Sequence, residues 1–261
     1  MALGDLVELG ATRAAASRLR QELVDRGVSV VPGFVRPDAV ADMVAECDAL
    51  AGEAHHQDVR GTPYLELPSS EWPAGHPRVT WARSSVHTLG YDQLPAASLI
   101  RQLFESDELL DLLADLLGRG PLHRYADPIG ALNVAVMTEG DELGWHYDQT
   151  DFVVSIALQS STGGGDFENA AHLRDAQDER YDDVAQILAG EGRDRVVVEP
   201  MVPGTLMLFE GRRSLHRVTP VTGATPRYVA LLGYDTQPGT MSSDVLKRVR
   251  YGRTEPLHAA R

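Results

Sequence analysis

The chain has 261 residues, 43% of them hydrophobic, which is enough for one large domain with a substantial core. Its 38 acidic residues outnumber the 24 lysines and arginines, the formal net charge is −14, and no basic run is present. This balance argues against binding to the phosphate backbone of nucleic acids and is compatible with a cationic or zwitterionic small molecule.

A single cysteine, Cys47, excludes an intramolecular disulfide and favours a reducing compartment. Cys47 falls in an apolar helical pattern and is predicted to be a buried, unreactive thiol. No segment reaches the ~18 consecutive apolar residues of a membrane span, and the N-terminus lacks the pattern of a signal peptide. We therefore expect a soluble cytoplasmic protein with no membrane partner.

The first part of the chain has helical patterns. Apolar spacing predicts a helix over residues 11–26 that Gly27 is placed to end. The β-branched run 28–31 predicts a short strand, and a proline in a first helical turn starts a predicted helix over residues 37–50. These segments predict helices that precede and brace the rest of the fold.

The next segment has weak periodicity. Residues 55–77, rich in Pro, Gly and charge, predict a long loop with a short strand near residues 64–67. The His-Gln-Asp sequence at residues 56–58 is interpreted as part of a solvated polar loop. Ser106 is predicted to cap a buried leucine-rich helix that ends at Gly118.

After Gly118 the sequence favours short strands separated by Gly, Pro and polar turns. The predicted strands are residues 131–137, 152–158, 195–199, 205–209 and 227–234. One helical pattern, over residues 178–189, interrupts them. Helices followed by a strand-rich half predict an antiparallel barrel or sandwich braced by helices, an α+β fold. No repeat or linker divides the chain, so one domain over residues 1–261 is expected.

The sequence Gly-Trp-His-Tyr-Asp at residues 144–148 places His146 and Asp148 two positions apart. Side chains with this spacing on a strand point to the same face and can bind one metal ion together. A second imidazole, His216, follows 70 residues after His146. Two histidines and one carboxylate on one face of an ion, with the other positions free, suit a non-haem Fe(II) oxygenase.

The free coordination positions in such a site would suit the keto and carboxylate oxygens of 2-oxoglutarate and a molecule of dioxygen. The far carboxylate of 2-oxoglutarate needs a permanently charged partner. Arg227, predicted on the strand after His216, offers a bidentate fork where lysine would offer a point charge. The alternative for Arg227 is a surface salt bridge on a strand edge.

These residues resemble the Fe(II)/2-oxoglutarate-dependent dioxygenases. More narrowly, the chain is similar to the carrier-independent amino-acid halogenases and their hydroxylase relatives, which act on free lysine and similar amino acids. The similar segments are residues 28–34, 127–134, 144–148, 214–219 and 234–239. The resemblance implies a double-stranded β-helix (jelly-roll, cupin-like) core and Fe(II), 2-oxoglutarate and dioxygen as cofactors.

One position divides this group. The halogenases have glycine where the iron-binding carboxylate would be, which frees a place for chloride. This chain has Asp148 there, so the resemblance implies hydroxylation of an unactivated C–H bond with release of succinate and CO2. The implied substrate is a free L-amino acid, with a basic, lysine-like one among the candidates.

The resemblance extends to the substrate pocket. Arg83 is similar in placement to the family's substrate-carboxylate arginine, with an ordinary surface charge as the alternative. Asp127 resembles an acidic residue near the amine-binding site, or is a solvated loop carboxylate. Trp145 lines the pocket or packs behind the ligands, and Asn133 donates to cosubstrate or substrate or makes a cross-strand hydrogen bond.

Three polar residues near the motif have weaker assignments. Gln149 and Asp151, just past Asp148, are candidates for setting substrate specificity. Glu168 is predicted to be a charge on the rim or in a loop rather than a metal ligand.

Two other functions stay open. A cupin-like metal-dependent isomerase or small-ligand binder usually has two histidines spaced as HxH and a later glutamate, and the HxD spacing and Arg227 argue against it. The second alternative is an enzyme that uses the same iron chemistry but desaturates its substrate or acts on a substrate bound to a carrier protein. The oligomeric state and the carbon attacked do not follow from the sequence.

Overall fold

The computed structural model describes residues 3–257. The helices are α1 (Leu3–Leu6), α2 (Leu9–Ala14), α3 (Ala16–Arg26), α4 (Pro37–Leu50), α5 (Leu99–Glu105), α6 (Asp107–Leu117), α7 (Tyr181–Leu188) and α8 (Asp244–Tyr251). The strands are β1 (Val28–Val31), β2 (His55–Gly61), β3 (Ala82–Gly90), β4 (His123–Arg124), β5 (Leu132–Met137), β6 (Glu142–His146), β7 (Val153–Gln159), β8 (Phe167–Ala170), β9 (Val197–Glu199), β10 (Leu206–Phe209), β11 (Leu215–Val218), β12 (Arg227–Leu232) and β13 (Tyr234–Asp235).

Eleven strands form one antiparallel sheet in the order β1-β10-β7-β12-β5-β3-β6-β11-β8-β9, with β2 also paired to β3. Phe167 on β8 and Phe209 on β10 lie near opposite ends of this order. Their ring centroids are nevertheless 5.2 Å apart in a T-shaped contact. The sheet is therefore rolled into a nearly closed barrel, which confirms the predicted jelly-roll core.

Side-chain alternation divides the buried residues into two clusters. Val134 and Val136 on β5 face outward into the large core beneath helices α3 to α6. Ala135 and Met137 face inward and pack in the barrel interior. The main apolar core therefore lies between helices and sheet, and the interior of the barrel is free to hold functional side chains.

Several local predictions are confirmed. Gly27 ends α3 with a left-handed φ of 65°, and α4 has the predicted bounds. The hydroxyl of Ser106 accepts a hydrogen bond from the backbone N–H of Leu109, and Gly118 ends α6 with φ of 62°. Cys47 is fully buried, and burial raises the pKa of its thiol to about 12, as expected of an unreactive cysteine.

The prediction for residues 55–77 was wrong in detail. Residues 55–61 form β2, whereas residues 64–67 form no strand. Because β2 carries polar side chains on both faces, no alternation marks it, and its pairing with β3 defines it instead. The helix predicted over residues 11–26 is divided at Ala15 into α2 and α3. No helix in residues 3–257 is long and apolar enough to span a bilayer.

Candidate active site

His146 and His216 face each other across the paired strands β6 and β11. Their ring centroids are 4.2 Å apart and the rings are inclined by 51°. The register shifts next to this pair, so that Leu143 lies opposite Val218. Leu143 and His146 are three residues apart, and on a regular strand their side chains would point to opposite faces. The register shift allows both to face the inner side of the sheet.

Asp148 lies just beyond β6, where the chain has left the sheet. Its backbone N–H donates to the carbonyl of Gly211 at 3.1 Å. A Cβ atom on Gly211 would lie 2.7 Å from Cγ of Asp148 and closer still to Oδ2. The loop after β10 therefore holds the carboxylate in place, and only a glycine leaves room for it.

The three side chains converge. Oδ1 of Asp148 is 3.9 Å from Nε2 of His146, and Oδ2 is 3.5 Å from Nε2 of His216. One ligand atom from each of the three residues lies within 4.8 Å of the other two. The structure thus brings together the three residues that the sequence spacing selected.

The opposite edges of both imidazoles are fixed by the backbone. Nδ1 of His146 lies 2.7 Å from the carbonyl of Gly144, and Nδ1 of His216 lies 3.0 Å from that of Ser214. Carbonyls only accept, so each Nδ1 carries the proton and each Nε2 presents a lone pair. Burial lowers the pKa of His146, and the adjacent His216 acts in the same direction, which keeps His146 neutral. This donor set fits a divalent iron ion.

Arg227 begins β12 on the inner face, opposite Met137, and is only 7% exposed. Its Nη1 lies 3.7 Å from the Met137 sulfur, and no carboxylate of the described residues lies within 4.0 Å of its guanidinium. Burial lowers the pKa of Arg227 to about 10, which leaves it cationic at neutral pH. The alternative of a surface salt bridge is excluded by this burial. A buried cation without a carboxylate partner suits an anionic ligand.

Further polar groups face the interior. Asn133 lies opposite Leu231 and is 5% exposed. Ser155 Oγ and Asn169 Oδ1 are buried and have no hydrogen-bond partner among the described residues, and Asn169 lies opposite His216. Of these, only Asn133 was singled out from the sequence, because isolated polar residues in apolar strands have no spacing signal.

A cleft of about 230 Å³ opens beside Asp148. Its lining residues come from loops that are far apart in the chain: Tyr64, Glu66, Arg78, Tyr147, Asp148, Gln149, Arg174 and Arg212. Three guanidinium groups and one carboxylate besides Asp148 therefore surround the space next to the histidine–aspartate cluster.

Two of these arginines stack on tyrosine rings. Cζ of Arg174 lies 4.0 Å from the ring centroid of Tyr147, and Cζ of Arg78 lies 4.3 Å from that of Tyr64. Burial raises the pKa of both phenols, so they remain neutral. Both hydroxyls are buried and have no hydrogen-bond partner in the part of the chain that the structure describes. The stacking orders the arginine side chains before any ligand binds.

The structure places Arg83 away from this cleft. Its Nε and Nη2 donate to both carboxylate oxygens of Asp58, at 3.0 and 2.9 Å. Its Nη1 lies 3.0 Å from the carbonyl of Gly140 and 3.3 Å from Glu142. The guanidinium is thus occupied within the protein, and its role in binding a substrate carboxylate stays a prediction.

Asp127 is buried in a turn, at 1% exposure. Its carboxylate accepts from the backbone N–H groups of Ile129, Gly130 and Ser242 at 2.9 to 3.1 Å, and Lys247 lies 3.5 Å away. Burial raises the pKa of Asp127, but these hydrogen bonds outweigh it, and the pKa stays below its ordinary value. The expectation of a solvated loop carboxylate is wrong, and the geometry gives Asp127 a structural task.

Trp145 is 8% exposed and packs behind the histidines on the outer face, where Cζ of Arg217 lies 4.7 Å from its ring centroid. Arg217 also pairs with Glu168 at 2.6 Å, so Glu168 is a buried ion-pair partner on β8 rather than a rim charge. Gln149 lines the cleft, and Asp151 pairs with Arg212 at 2.7 Å.

The match to a known family spans nearly all of this architecture. A family model described as Halogenase D matches residues 11–247. The chain belongs to the Halogenase D family. A comparison with curated proteins gave no match.

Solved structures with the same fold as this Halogenase D family member have low sequence identity to it. The non-haem alpha-ketoglutarate-dependent carbocyclase SnoK from nogalamycin biosynthesis is 15% identical, with 95% of this chain and 96% of that chain covered and a TM-score of 0.60. The epimerase SnoN, solved with Fe3+, alpha-ketoglutarate and nogalamycin RO, is 18% identical over 94% and 96%, with a TM-score of 0.57. An oxidoreductase of the 2OG-Fe(II) oxygenase family from Burkholderia pseudomallei is 17% identical over 86% and 92%, with a TM-score of 0.53.

The fold of this Halogenase D family member is therefore that of the 2-oxoglutarate- and iron-dependent oxygenases. Its histidine–aspartate cluster and its cleft share Asp148. A reacting molecule in the cleft would therefore lie next to whatever that cluster binds.

Proposed function

We propose that this protein is an Fe(II)- and 2-oxoglutarate-dependent oxygenase that hydroxylates a free amino acid. The observation that supports this most directly is the convergence of His146, Asp148 and His216 with both Nε2 lone pairs turned toward the carboxylate. When bound, iron, 2-oxoglutarate and dioxygen supply the oxidant that replaces an unactivated C–H hydrogen by hydroxyl, with release of succinate and CO2.

In this proposal Arg227 holds the far carboxylate of 2-oxoglutarate. The guanidinium is buried and cationic, and an incoming carboxylate would receive two parallel N–H donors. Asn133, Asn169 and Ser155 line the same interior and offer further hydrogen bonds to the cosubstrate. The apolar residues around them exclude water from the reacting groups.

Asp148 supports hydroxylation rather than halogenation. Its carboxylate lies within 3.9 Å of both histidine Nε2 atoms, in the place that a halide would need. Gly211 leaves room for this carboxylate and its backbone holds Asp148. Within a family described by its halogenase activity, this chain therefore belongs with hydroxylases.

The cleft supports a zwitterionic substrate. Arg174 donates from Nε to the carbonyl of Arg212 at 2.7 Å and from Nη1 to Glu179 at 3.2 Å. Its Nη2 has no hydrogen-bond partner among residues 3–257. Glu66 is 61% exposed in its side chain and binds Arg78 through Oε2. Arg174 is thus suited to a substrate carboxylate and Glu66 to an ammonium group, as in a free amino acid.

The test is succinate release by the purified protein with Fe(II), 2-oxoglutarate and dioxygen, using the twenty proteinogenic amino acids and ornithine one at a time. We expect one or a few amino acids to stimulate succinate release. With chloride present, the product should gain one oxygen atom and no chlorine by mass. A product that lacks two hydrogens would show desaturation, and release only with a carrier-bound amino acid would refute the free substrate.

An Asp148→Ala variant tests the assignment of Asp148 as a metal ligand. We expect it to lose hydroxylation while it still folds, because the carboxylate lies at the edge of the cleft and not in the apolar core. Full hydroxylation by Asp148→Ala would refute the assignment. Isomerisation of a small ligand without 2-oxoglutarate would instead show a cupin-like enzyme.

A further inference from the structure

A second histidine–aspartate cluster lies on the opposite side of the sheet from the candidate active site. His56 on β2 and His87 on β3 are directly opposite each other in the paired strands. Their rings are stacked, with centroids 4.1 Å apart and an angle of 13°. His87 also lies opposite Val136, which faces the outer core. The pair therefore belongs to the outer face of the barrel.

Both imidazoles meet the carboxylate of Asp141, in the turn between β5 and β6. Oδ2 of Asp141 lies 3.1 Å from Nδ1 of His87, and Oδ1 lies 3.7 Å from Nε2 of His56. One ligand atom from each residue lies within 4.8 Å of the other two. The active-site cluster meets the same limit, with carboxylate-to-imidazole distances of 3.5 and 3.9 Å.

The carboxylate is held rigidly by other donors. Thr138 donates to Oδ2 of Asp141 through its backbone N–H at 2.8 Å and its hydroxyl at 3.0 Å. The hydroxyl of Ser85 donates to Oδ1 at 2.5 Å. Burial raises the pKa of Asp141, but these hydrogen bonds outweigh it and hold the pKa below its usual range. These donors fix the turn without either histidine, so the two imidazoles need another explanation.

We propose that His56, His87 and Asp141 form a second metal site, for a divalent transition-metal ion such as Zn(II), Co(II) or Ni(II). Imidazole and carboxylate ligands suit these ions, and water would complete the coordination at the exposed side. Ser85 and Thr138 orient the carboxylate from behind, as supporting hydrogen bonds do in established metal sites.

Metal binding requires one local change. Lone pairs in two parallel stacked rings do not converge on one ion, so the His56 ring must turn out of the stack. This is feasible because the His56 side chain is 46% exposed on an edge strand, and within residues 3–257 its ring is hydrogen-bonded only to Ser85 Oγ, at 3.0 Å. The ion would then take the place of the proton between His87 and Asp141. It would tie β2 to the turn that leads into β6.

The experiment removes the active-site ligands first. In a His146→Ala/His216→Ala double variant, we expect equilibrium dialysis with Zn(II) to find one bound ion per chain. Adding His56→Ala should weaken Zn(II) binding at least tenfold. Adding His55→Ala instead should leave it unchanged, since His55 is the adjacent histidine but lies opposite Thr88 and outside the cluster. Co(II) absorption in the visible range would report the imidazole ligands directly.

No Zn(II) binding by the folded double variant would overturn the proposal, as would binding that survives His56→Ala and His87→Ala together. Should the double variant fail to fold, the wild-type chain provides the same test. Wild type should then bind two Zn(II) ions per chain, and the His56→Ala variant should bind one. Equal stoichiometry in the two proteins would refute the second site.

Discussion

The carboxylate of Asp148 lies directly against the α-carbon of Gly211, and this contact joins the chain after β6 to the chain after β10. A Cβ atom on Gly211 would be 2.7 Å from Cγ of Asp148 and 2.9 Å from its Cβ. Both atoms belong to a side chain that must also face two histidines. The position of Asp148 therefore depends on the absence of a side chain at residue 211.

A Gly211→Ala substitution should displace the Asp148 carboxylate from the histidines. We expect Fe(II) affinity or hydroxylation to fall roughly 10- to 100-fold, the loss typical when a group that orients a metal ligand is changed. The measurement is iron binding and succinate release, with thermal unfolding as a check on the fold. Gly52→Ala is a matched control because a Cβ there meets nothing within 4 Å. Equal losses in both variants would contradict a specific role for Gly211.

Arg227→Met should separate stability from cosubstrate binding. No carboxylate of the described residues lies within 4.0 Å of the buried Arg227 guanidinium, so its removal eliminates a desolvation cost that no close ion pair offsets. The melting temperature without 2-oxoglutarate should therefore hold or rise. A gain of about 1 kcal/mol would raise it by roughly 3 °C in a protein of this size. The affinity for 2-oxoglutarate should fall roughly 30-fold or more, from a loss of about 2–5 kcal/mol.

The measurement for Arg227→Met is thermal unfolding with Fe(II) and increasing 2-oxoglutarate, since a ligand that binds only the folded state raises the melting temperature. Wild type should be stabilised and the variant should not. Arg227→Lys should bind 2-oxoglutarate more weakly than wild type, because an ammonium group replaces the bidentate fork. Undiminished stabilisation of Arg227→Met by 2-oxoglutarate would place the cosubstrate elsewhere.

Arg174→Gln should weaken amino-acid binding without changing iron binding. Loss of a charge-assisted hydrogen bond worth about 1.5–3 kcal/mol corresponds to a rise in KM of roughly 10- to 100-fold. Succinate release against amino-acid concentration measures this. Arg193→Gln is the control, because Arg193 pairs with Glu168 on the outer face and does not line the cleft. A normal KM for Arg174→Gln would remove Arg174 from the substrate site.

The sequence predicted the centre of the candidate site better than its surroundings. His146 and Asp148 are only two residues apart, so their side chains lie close together even though Asp148 lies past the end of β6. His216 and Arg227 follow in strands that form the same barrel, so their order along the chain indicated a common interior. Helices that precede a series of short strands predicted an antiparallel barrel or sandwich, and the family resemblance narrowed this to a jelly roll.

The cleft could not be predicted in this way. Tyr64, Arg78, Arg174 and Arg212 come from separate loops, and only the three-dimensional fold brings them to Asp148. Arg83 was singled out by resemblance, but Asp58 and Glu142 engage its charge. Ion pairs between distant segments leave no periodic signal, and this is the main reason why the sequence did not define the substrate contacts.

Substitution of Asp127 distinguishes a role of this carboxylate in stabilising the fold from a role in binding the substrate. The carboxylate accepts three backbone N–H donors and faces Lys247, so Asp127→Asn should lower the free energy of unfolding by about 3 kcal/mol near neutral pH. The pKa of Asp127 is lower in the folded state than its ordinary value of about 3.9 in an unfolded chain. The stabilisation by the ionised group is therefore complete above pH ~4 and is lost as the pH falls through the lower folded-state pKa.

The difference in unfolding free energy between wild type and Asp127→Asn should accordingly be constant above pH ~4 and shrink as the pH falls further, through the folded-state pKa of Asp127. Chemical denaturation at several pH values measures it. The KM for the amino acid should stay near the wild-type value under conditions where the variant is folded, because Asp127 lies outside the cleft. A variant with unchanged stability and a much higher KM would restore Asp127 to the substrate site, as the family resemblance implies.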